Sequence, residues 1–267
     1  MSAELEHRIS QNRNLVGLSN MGQNGQPLRY AYDAIQPLLG GRTDVIVDTT
    51  AKATNEARDA QAEQLRVAFG ELNITTHALH RMDQASRQSA IRDAQGFYIG
   101  GGNTGLLTSS IHAARHENGK LVDPTSTANE VSVADMYREA VANGVPVIGH
   151  SAGTMMMAED IRTYGLGDNI AFLRRSKKGL HADVTGLDLL SQGFTYFPHF
   201  NDNNALFNEM LEADPTLRVL AGRNGAYFAV NGMRMTIGGE TSATLFQNAQ
   251  EPKTFTPGTD VSYLLKH

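Results

Sequence analysis

The sequence contains no cysteine, and this absence excludes several kinds of chemistry at once. Disulfide bonds, thiolate metal sites and cysteine nucleophiles all need a residue that the 267-residue chain does not have. No apolar run approaches the roughly 18 residues that a membrane-spanning helix needs. The polar N-terminus, MSAELEHRISQNRN, also lacks the apolar core of a secretion signal. We therefore expect a cytoplasmic protein that contacts no membrane.

Positive charge is also too scarce for a nucleic-acid-binding surface. Lys and Arg number 23 against 28 Asp and Glu, so the net charge at pH 7 is −5. The one dense basic cluster, Arg174 to Lys178, is more typical of a solvated loop than of a phosphate-binding track.

His112 and His116 have helical i, i+4 spacing but lack the glutamate of the zinc-protease motif. We expect no nucleic acid, no metal and no cofactor.

Short apolar runs alternate with helical patterns, which predicts a mostly parallel sheet with helices on both faces, an α/β fold. Near-continuous apolar segments such as DVIVDT at 44–49 are typical of strands buried in such a sheet. The C-terminal part is rich in short strands, and the absence of a linker or repeat in residues 1–267 predicts one domain. The predicted strands are 14–18, 44–49, 73–79, 96–99, 145–148, 194–197, 217–221, 226–230, 233–237 and 243–246; the predicted helices are 30–39, 55–70, 84–94, 106–115, 130–142, 155–158 and 203–213.

The stretch from Val145 to Ala158, VPVIGHSAGTMMMA, has the layout of a nucleophile elbow. A short apolar strand runs into Gly-His-Ser-Ala-Gly, and a helical pattern follows, as in enzymes that expose a serine on a tight strand-to-helix turn. Ser151 is therefore the candidate nucleophile. His199 is the best candidate base, because it follows an apolar strand and a proline 48 residues downstream. His150, adjacent to the serine, is expected to point another way round the turn.

A glycine run from Gly100 to Gly105 follows the fourth predicted strand. It matches G-x-G-x-x-G formally, but a dinucleotide fingerprint belongs after the first strand, with an acid closing the second. The loop leaves the carboxyl end of a strand, where ligands bind in parallel sheets. Its amides, joined by the Ala152 amide, are therefore predicted to form an oxyanion hole.

The order of serine before histidine also allows an α/β-hydrolase, in which an acid stands between the nucleophile and the base. Asp183 or Asp188 would satisfy that order. This alternative puts the elbow unusually late and leaves the β-rich C-terminal part unexplained.

Three motifs in sequence order resemble the signatures of the peptidase E (aspartyl dipeptidase) family of serine peptidases, to which cyanophycinases are related. They are FYIGGGNT at 97–104, IGHSAG at 148–153 and PHF at 198–200, and the likeness extends from Leu15 to Gly239. The resemblance implies a class I glutamine amidotransferase-like fold, a flavodoxin-like three-layer arrangement with serine replacing the cysteine nucleophile. The roles it implies are Ser151 as nucleophile, His199 as base, Gly101, Gly102 and Ala152 as oxyanion donors, and Asn103 as a substrate-binding residue.

One departure from the family concerns the third catalytic residue. In the family this residue is an acid in a short Glu-Gly-x segment after a strand, whereas the matching place here reads Arg223-Asn224-Gly225. An asparagine can orient a histidine but stabilises the imidazolium less than a carboxylate does. Three options follow: Asn224 orients His199, Glu240 replaces the acid, or hydrolysis is weakened or lost.

The second departure concerns specificity. Peptidase E has an arginine after the PHF motif that is implicated in reading the substrate's aspartate, and the matching segment here, 201–207, has none. A carboxylate clamp would use such a residue. We therefore expect no strict requirement for an N-terminal aspartate, unless Arg174, Arg175 or Arg223 supplies the charge.

The main hypothesis from the sequence is a serine peptidase that acts on dipeptides or other small peptide or amide substrates. A non-hydrolytic binding or accessory protein, or an acyl transferase, is the first alternative, motivated by the missing acid and arginine. A cyanophycinase-like hydrolase is the second, with the loop from Asp183 to Asp188 and its two acids holding arginine side chains. A homodimer is retained as one option, and segments 117–126 and 165–193 are each considered as a lid or an interface.

Overall fold

The computed structural model describes residues 1–22, 26–111, 115–117, 120–122, 133–159, 161, 186–191, 193–202 and 205–266. The basic cluster at 174–178, His112, Asp183 and most of segments 117–126 and 165–193 lie outside these residues. The α-helices are α1 (Ala3–Asn12), α2 (Tyr32–Leu39), α3 (Asn55–Gly70), α4 (Gln84–Arg92), α5 (Thr104–Ile111), α6 (Val133–Ala142), α7 (Ala152–Met155) and α8 (Ala205–Ala213). The strands are β1 (Asn14–Leu18), β2 (Asp44–Asp48), β3 (Thr75–Ala78), β4 (Phe97–Ile99), β5 (Arg115–Glu117), β6 (Lys120–Val122), β7 (Val147–His150), β8 (Phe194–Phe197), β9 (Arg218–Gly222), β10 (Ala226–Asn231), β11 (Arg234–Gly239), β12 (Ala243–Gln247) and β13 (Lys253–Phe255).

The main sheet has seven strands in the order β11-β10-β1-β7-β4-β2-β3. Five neighbouring strands, from β1 to β3 in that order, are parallel, and β10 and β11 add an antiparallel edge. β7 lies between β1 and β4, with Leu15 opposite Val147 and Phe97 on its other side. The predicted α/β fold with a mostly parallel sheet is confirmed, and the elbow strand is at the centre of the sheet.

The sheet has an apolar core on each of its faces, and successive side chains of the central strands β1 and β7 point alternately into the two cores. Leu15 and Val147 belong to the core beneath α1, α5, α6 and α7, whereas their neighbours Val16 and Ile148 belong to the core beneath α2 and α3. Side chains alternate across a strand, so a strand that is apolar at every position needs a cover on each side. The helices that alternate with the strands in the chain provide these covers.

A second sheet, ordered β13-β12-β9-β8, forms the β-rich part of the chain. Its apolar cluster includes Phe207 of α8, which stacks on Phe246 of β12 with ring centroids 4.4 Å apart. β8 and β9 are parallel, and the chain passes from β9 directly into β10 of the main sheet. The carboxyl ends of β8 and β9 are therefore close to the carboxyl ends of the main parallel strands.

Several elements differ from the predictions. Helix α1 was not predicted because its sequence is mostly polar, and of its residues only Ile9 is buried. Helix α5 is described over Thr104–Ile111, and Arg115, the predicted end of this helix, instead lies in β5, which pairs with β6 as a two-stranded sheet. Among the described residues, no helix combines the length and the apolar character that crossing a bilayer requires.

Candidate active site

Ser151 occupies a strained turn between β7 and α7. Its backbone has φ 51° and ψ −111°, a conformation that residues other than glycine seldom adopt. The carbonyl oxygen of Leu18, at the end of the neighbouring strand β1, accepts the Ser151 N–H at 2.9 Å and the Thr154 hydroxyl at 2.8 Å. These two bonds fix the elbow to the adjacent strand, so the strain at Ser151 is offset by contacts on both sides of it.

The two glycines that flank the elbow are required by close backbone contacts. A β-carbon added at Gly149 would lie 2.7 Å from the carbonyl oxygen of Gly153. One added at Gly153 would lie 2.0 Å from the carbonyl oxygen of Ile99 in β4. The Gly-x-Ser-x-Gly spacing therefore reflects steric need at both ends of the turn.

His199 reaches Ser151 from the second sheet. It follows β8 with φ 60°, and the next residue, Phe200, donates its N–H to the carbonyl oxygen of Gly222 at 3.0 Å. This conformation aims the imidazole at the elbow, and its Nε2 is 2.8 Å from the Ser151 hydroxyl oxygen. The nucleophile and base predicted from the sequence are thus within hydrogen-bond distance of each other.

Asn224 contacts the far side of the His199 ring. Its Oδ1 lies 2.7 Å from Nδ1 of His199. Because an amide oxygen only accepts, the ring proton belongs on Nδ1, which leaves Nε2 free to accept the serine proton. The turn that carries Asn224 is held by Asn20, whose Oδ1 accepts the Gly225 N–H at 3.0 Å, and by Thr241, whose hydroxyl donates to the Asn224 carbonyl at 2.8 Å.

The carboxylates considered as substitutes are placed differently. Glu240 is exposed, and its backbone N–H donates to the carbonyl oxygen of Gly225. The side chain that contacts Nδ1 of His199 is that of Asn224 and not that of Glu240. Asp188 lies near Arg13, which precedes β1, so it is at the amino end of the sheet, opposite the elbow. Burial raises the pKa of Asp188 to about 6. The α/β-hydrolase order with Asp188 as the acid is therefore wrong.

Most backbone N–H groups of the glycine loop after β4 donate hydrogen bonds to other groups of the protein. Gly100 donates to the Asp48 carbonyl at 2.7 Å, Gly101 to Nδ1 of His150 at 3.2 Å, and Asn103 to the Ala51 carbonyl at 2.8 Å. Gly102, which has φ 151°, has no acceptor among the described residues, and neither has Ala152 at the start of α7. The prediction that Gly101 donates to an oxyanion is therefore not supported, whereas Gly102 and Ala152 are unoccupied donors.

Asn103 has a structural role in addition to its predicted contact with substrate. Its Oδ1 accepts the N–H of Leu106 at 3.0 Å and so caps the first turn of α5. The residue is exposed, and the predicted substrate contact would therefore involve its side-chain NH₂ group.

His150 is a buried, neutral histidine beneath the loop. Its ring turns toward Tyr98, with ring centroids 6.4 Å apart, and only 8% of the residue is exposed. Burial above all, with smaller electrostatic effects of His199 and Lys52, lowers the pKa of His150 to about 3. The ring therefore keeps an unprotonated Nδ1 at neutral pH, as acceptance of the Gly101 N–H requires.

One ion pair lies at the rim of the site. Arg223, the sequence candidate for recognising a substrate carboxylate, forms an ion pair with Asp202. Within the described parts of the chain, no group of three or more His, Cys, Asp or Glu residues is arranged to hold a metal ion. The described site offers a hydroxyl, an imidazole and backbone donors, which suit acyl transfer.

Gln61, Asn20 and Thr241 support the site but were not identified from the sequence. Gln61 is a buried glutamine on the inward face of α3, where Leu65, Ala68 and Phe69 are apolar. A polar residue on an apolar helix face is the signal that would have found it. Asn20 and Thr241 left no comparable signal, because their roles depend on contacts between segments distant in the sequence.

Comparison with known proteins gives consistent results. Residues 125–238, which include Ser151, His199 and Asn224, match the model of Peptidase family S51. A Peptidase E from Streptomyces coelicolor is 25% identical over 264 residues, covering 94% of this chain and 95% of the relative. One from Nostoc sp. is 24% identical and covers 95% of this chain and 97% of the relative. The crystal structure of a peptidase from an acI-B1 Actinobacterium is similar in fold, with a TM-score of 0.67 at 14% identity, covering 94% of this chain and 98% of that one.

Proposed function

We propose that this chain, a serine peptidase of the peptidase E family, hydrolyses dipeptides or other small peptide and amide substrates through a covalent acyl-enzyme. The observation that carries the proposal is the continuous contact from Ser151 through His199 to Asn224, with distances of 2.8 and 2.7 Å. A serine hydroxyl is a weak nucleophile without such a base, and a base is effective only when its ring is held in one orientation.

In the first half of the reaction, Ser151 attacks the substrate carbonyl carbon while Nε2 of His199 takes the hydroxyl proton. A bond forms from Oγ to the carbonyl carbon, and the carbonyl electron pair moves to its oxygen. The N–H groups of Gly102 and Ala152 are the available donors for this negative oxygen. Each such donor contributes roughly 3–4 kcal/mol in the transition state of comparable enzymes.

Collapse of the tetrahedral intermediate breaks the carbon–nitrogen bond, and the His199 imidazolium returns its proton to the leaving amine. A water molecule then attacks the acyl-enzyme with His199 again as the base, which releases the carboxylic acid and restores the Ser151 hydroxyl. Asn224 keeps the Nδ1 proton in place through both halves. Its uncharged amide favours the imidazolium less than a carboxylate would, so turnover is expected to be slow relative to enzymes with an acid at this position.

The substrate preference follows from the charges at the rim. Arg223 is engaged by Asp202, so it does not present a free cation for an aspartate side chain. Specificity for an N-terminal aspartate is accordingly expected to be relaxed, and cleavage to extend to uncharged dipeptides.

The direct test is to compare wild type with Ser151→Ala on a panel of α-aspartyl, isoaspartyl and neutral dipeptides. Loss of the nucleophile should reduce kcat by about 10⁴- to 10⁶-fold. Labelling of Ser151 by a fluorophosphonate, located by mass spectrometry, provides an independent readout. Cleavage that survives the substitution would contradict the mechanism.

A second candidate function, ligand binding or acyl transfer without net hydrolysis, is favoured by the asparagine at the third position. A folded wild-type protein whose Ser151 resists the fluorophosphonate would support binding alone. Labelling without hydrolysis, together with transfer of the acyl group to an added amine such as hydroxylamine, would support a transferase.

A further inference from the structure

The loop of residues 100–103 presents one unoccupied N–H group, and the structure shows what determines its direction. The Gly101 residue is held at both ends by side chains. Its N–H donates to Nδ1 of His150 at 3.2 Å, and its carbonyl oxygen accepts from Nε2 of Gln61 at 3.3 Å. The backbone at 101 is thus fixed by two groups that lie under the loop.

The carbonyl of Gly101 and the N–H of Gly102 belong to the same peptide unit. In a planar trans peptide these two groups point in opposite directions. Because the Gly101 carbonyl points inward to the buried Gln61 amide, the Gly102 N–H points outward, to the exposed side of the loop. That loop runs beside the nucleophile, since a β-carbon on Gly101 would lie 2.9 Å from Cβ of Ser151.

This orientation is not guaranteed by the backbone alone. Residues 101 and 102 are both glycine, so rotation of the peptide unit between them meets little steric resistance. A rotated unit would turn the Gly102 N–H inward and its partner carbonyl oxygen outward, toward the position of a developing oxyanion. A side-chain donor on the Gly101 carbonyl selects against the rotated state.

We propose that Gln61 is a positioning residue of the oxyanion hole: its side-chain amide holds the Gly101 carbonyl and thereby directs the Gly102 N–H at the substrate. The inference rests on the proposed function of Ser151. Gln61 is 4% exposed, and a β-carbon on Gly100 would lie only 2.6 Å from its Oε1, so the amide is seated closely against the loop. The Gln61 Nε2 also lies 3.8 Å from Sδ of Met21, and its buried Oε1 has no hydrogen-bond partner among the described residues. The Gly101 carbonyl is therefore the one oxygen acceptor in the described chain that this buried amide uses.

The experiment compares Gln61→Met, which removes the donor at similar length, with Gln61→Glu, which keeps the shape and replaces the donor with an acceptor. Gln64→Met on the exposed side of the same helix is the matched control. Readouts are kcat and KM on a dipeptide that wild type cleaves, the rate of Ser151 modification by a fluorophosphonate, and the thermal unfolding midpoint. We expect kcat and the phosphonylation rate to fall together, by about tenfold to a hundredfold, because both transition states place negative charge in the same site.

A positioning role further requires KM to stay within about twofold of wild type, because the ground-state carbonyl depends less on the hole than the transition state does. The inference is overturned if both Gln61 variants keep the wild-type kcat and phosphonylation rate, or if only KM and thermal stability change. Should Gln61→Met not fold, the isosteric Gln61→Glu decides by the same criteria. A wild type that neither cleaves nor reacts with the probe would instead overturn the proposed function, and this inference with it.

Discussion

The two halves of the site are constructed differently. The half that carries Ser151, the proposed nucleophile, is buried: Ala152, Gly153 and Thr154 are all inaccessible, and the turn at Ser151 follows the central strand of a seven-stranded sheet. The half that carries His199, the proposed base, is at the surface, where His199 and Asn224 are both exposed and their loops leave the smaller sheet. The first half is held mainly by main-chain contacts, and the second mainly by side-chain hydrogen bonds.

This difference predicts how each half should fail. An added β-carbon at a flanking glycine of the nucleophile half would displace main-chain atoms of neighbouring strands, so it should cost folding free energy. A substitution in the base half should change the rate while the protein stays folded. Single substitutions in each half test that division.

Gly153→Ala should destabilise the protein by about 3 kcal/mol, because the added β-carbon would lie 2.0 Å from the Ile99 carbonyl oxygen and overpacking at backbone is poorly relieved. The measurement is the free energy of unfolding in urea. Gly70→Ala at the end of α3 is the matched control, since nothing lies within 4 Å of its added carbon, and helix propensity favours alanine there. Equal stability of the two variants would remove the steric argument for the elbow.

The nucleophile half was also the half that could be predicted from the sequence. The Gly-x-Ser-x-Gly spacing reflects local sterics, and the apolar strand before it reflects burial on both faces, so both features appear in consecutive residues. His199 was found because it follows a strand and a proline. Asn224 was assigned only through a family resemblance, since its contact with the ring depends on the path of β9 relative to β8.

Other features could not be predicted because they arise from tertiary packing. Gly101 looked equivalent to Gly102 as a donor, and only the fold shows that His150 accepts its N–H. On α3 the apolar Val67 is 51% exposed, while its neighbour Ala68 is buried. Helical phase decided this case, as Leu65, Ala68 and Phe69 follow the i, i+3, i+4 pattern.

In the base half, Asn224→Ala should lower kcat by about tenfold to a hundredfold without changing the unfolding free energy by more than a few tenths of a kcal/mol. The ring of His199 would lose the acceptor that fixes its tautomer. Asn224→Asp should have the opposite effect and raise kcat, since a carboxylate stabilises the imidazolium. Asn208→Ala, an exposed asparagine on α8, is the control. If Asn224→Ala keeps the wild-type rate, another group orients His199.

His150 should make folding stability depend on pH. Its pKa is lowered to about 3 in the folded state, against about 6.5 for an unperturbed histidine, so the unfolded chain binds more protons between these values. Stability from this residue is fully present above pH 6.5 and is lost as the pH falls toward 3, by up to about 1.4 kcal/mol per pH unit. His150→Asn, whose amide oxygen can still accept from Gly101, should flatten the profile relative to wild type, whereas His7→Asn at the surface should not. An unchanged slope would mean that His150 titrates normally.

The smallest effect is expected at the rim, where Asp202 pairs with Arg223 in the exposed loops of the base half. Asp202→Asn should change the unfolding free energy by less than about 1 kcal/mol, as exposed ion pairs contribute little. It should nevertheless free the guanidinium beside Asn224 and lower KM for an aspartyl dipeptide by several-fold, with no change for a neutral dipeptide. Glu63→Gln, which breaks the exposed pair with Arg66 on α3, is the control for general charge effects. Because the gain is electrostatic, it should diminish between 0.05 and 0.5 M salt. If KM for the acidic dipeptide is unchanged, Arg223 is not within reach of the substrate, and specificity is set elsewhere in the site.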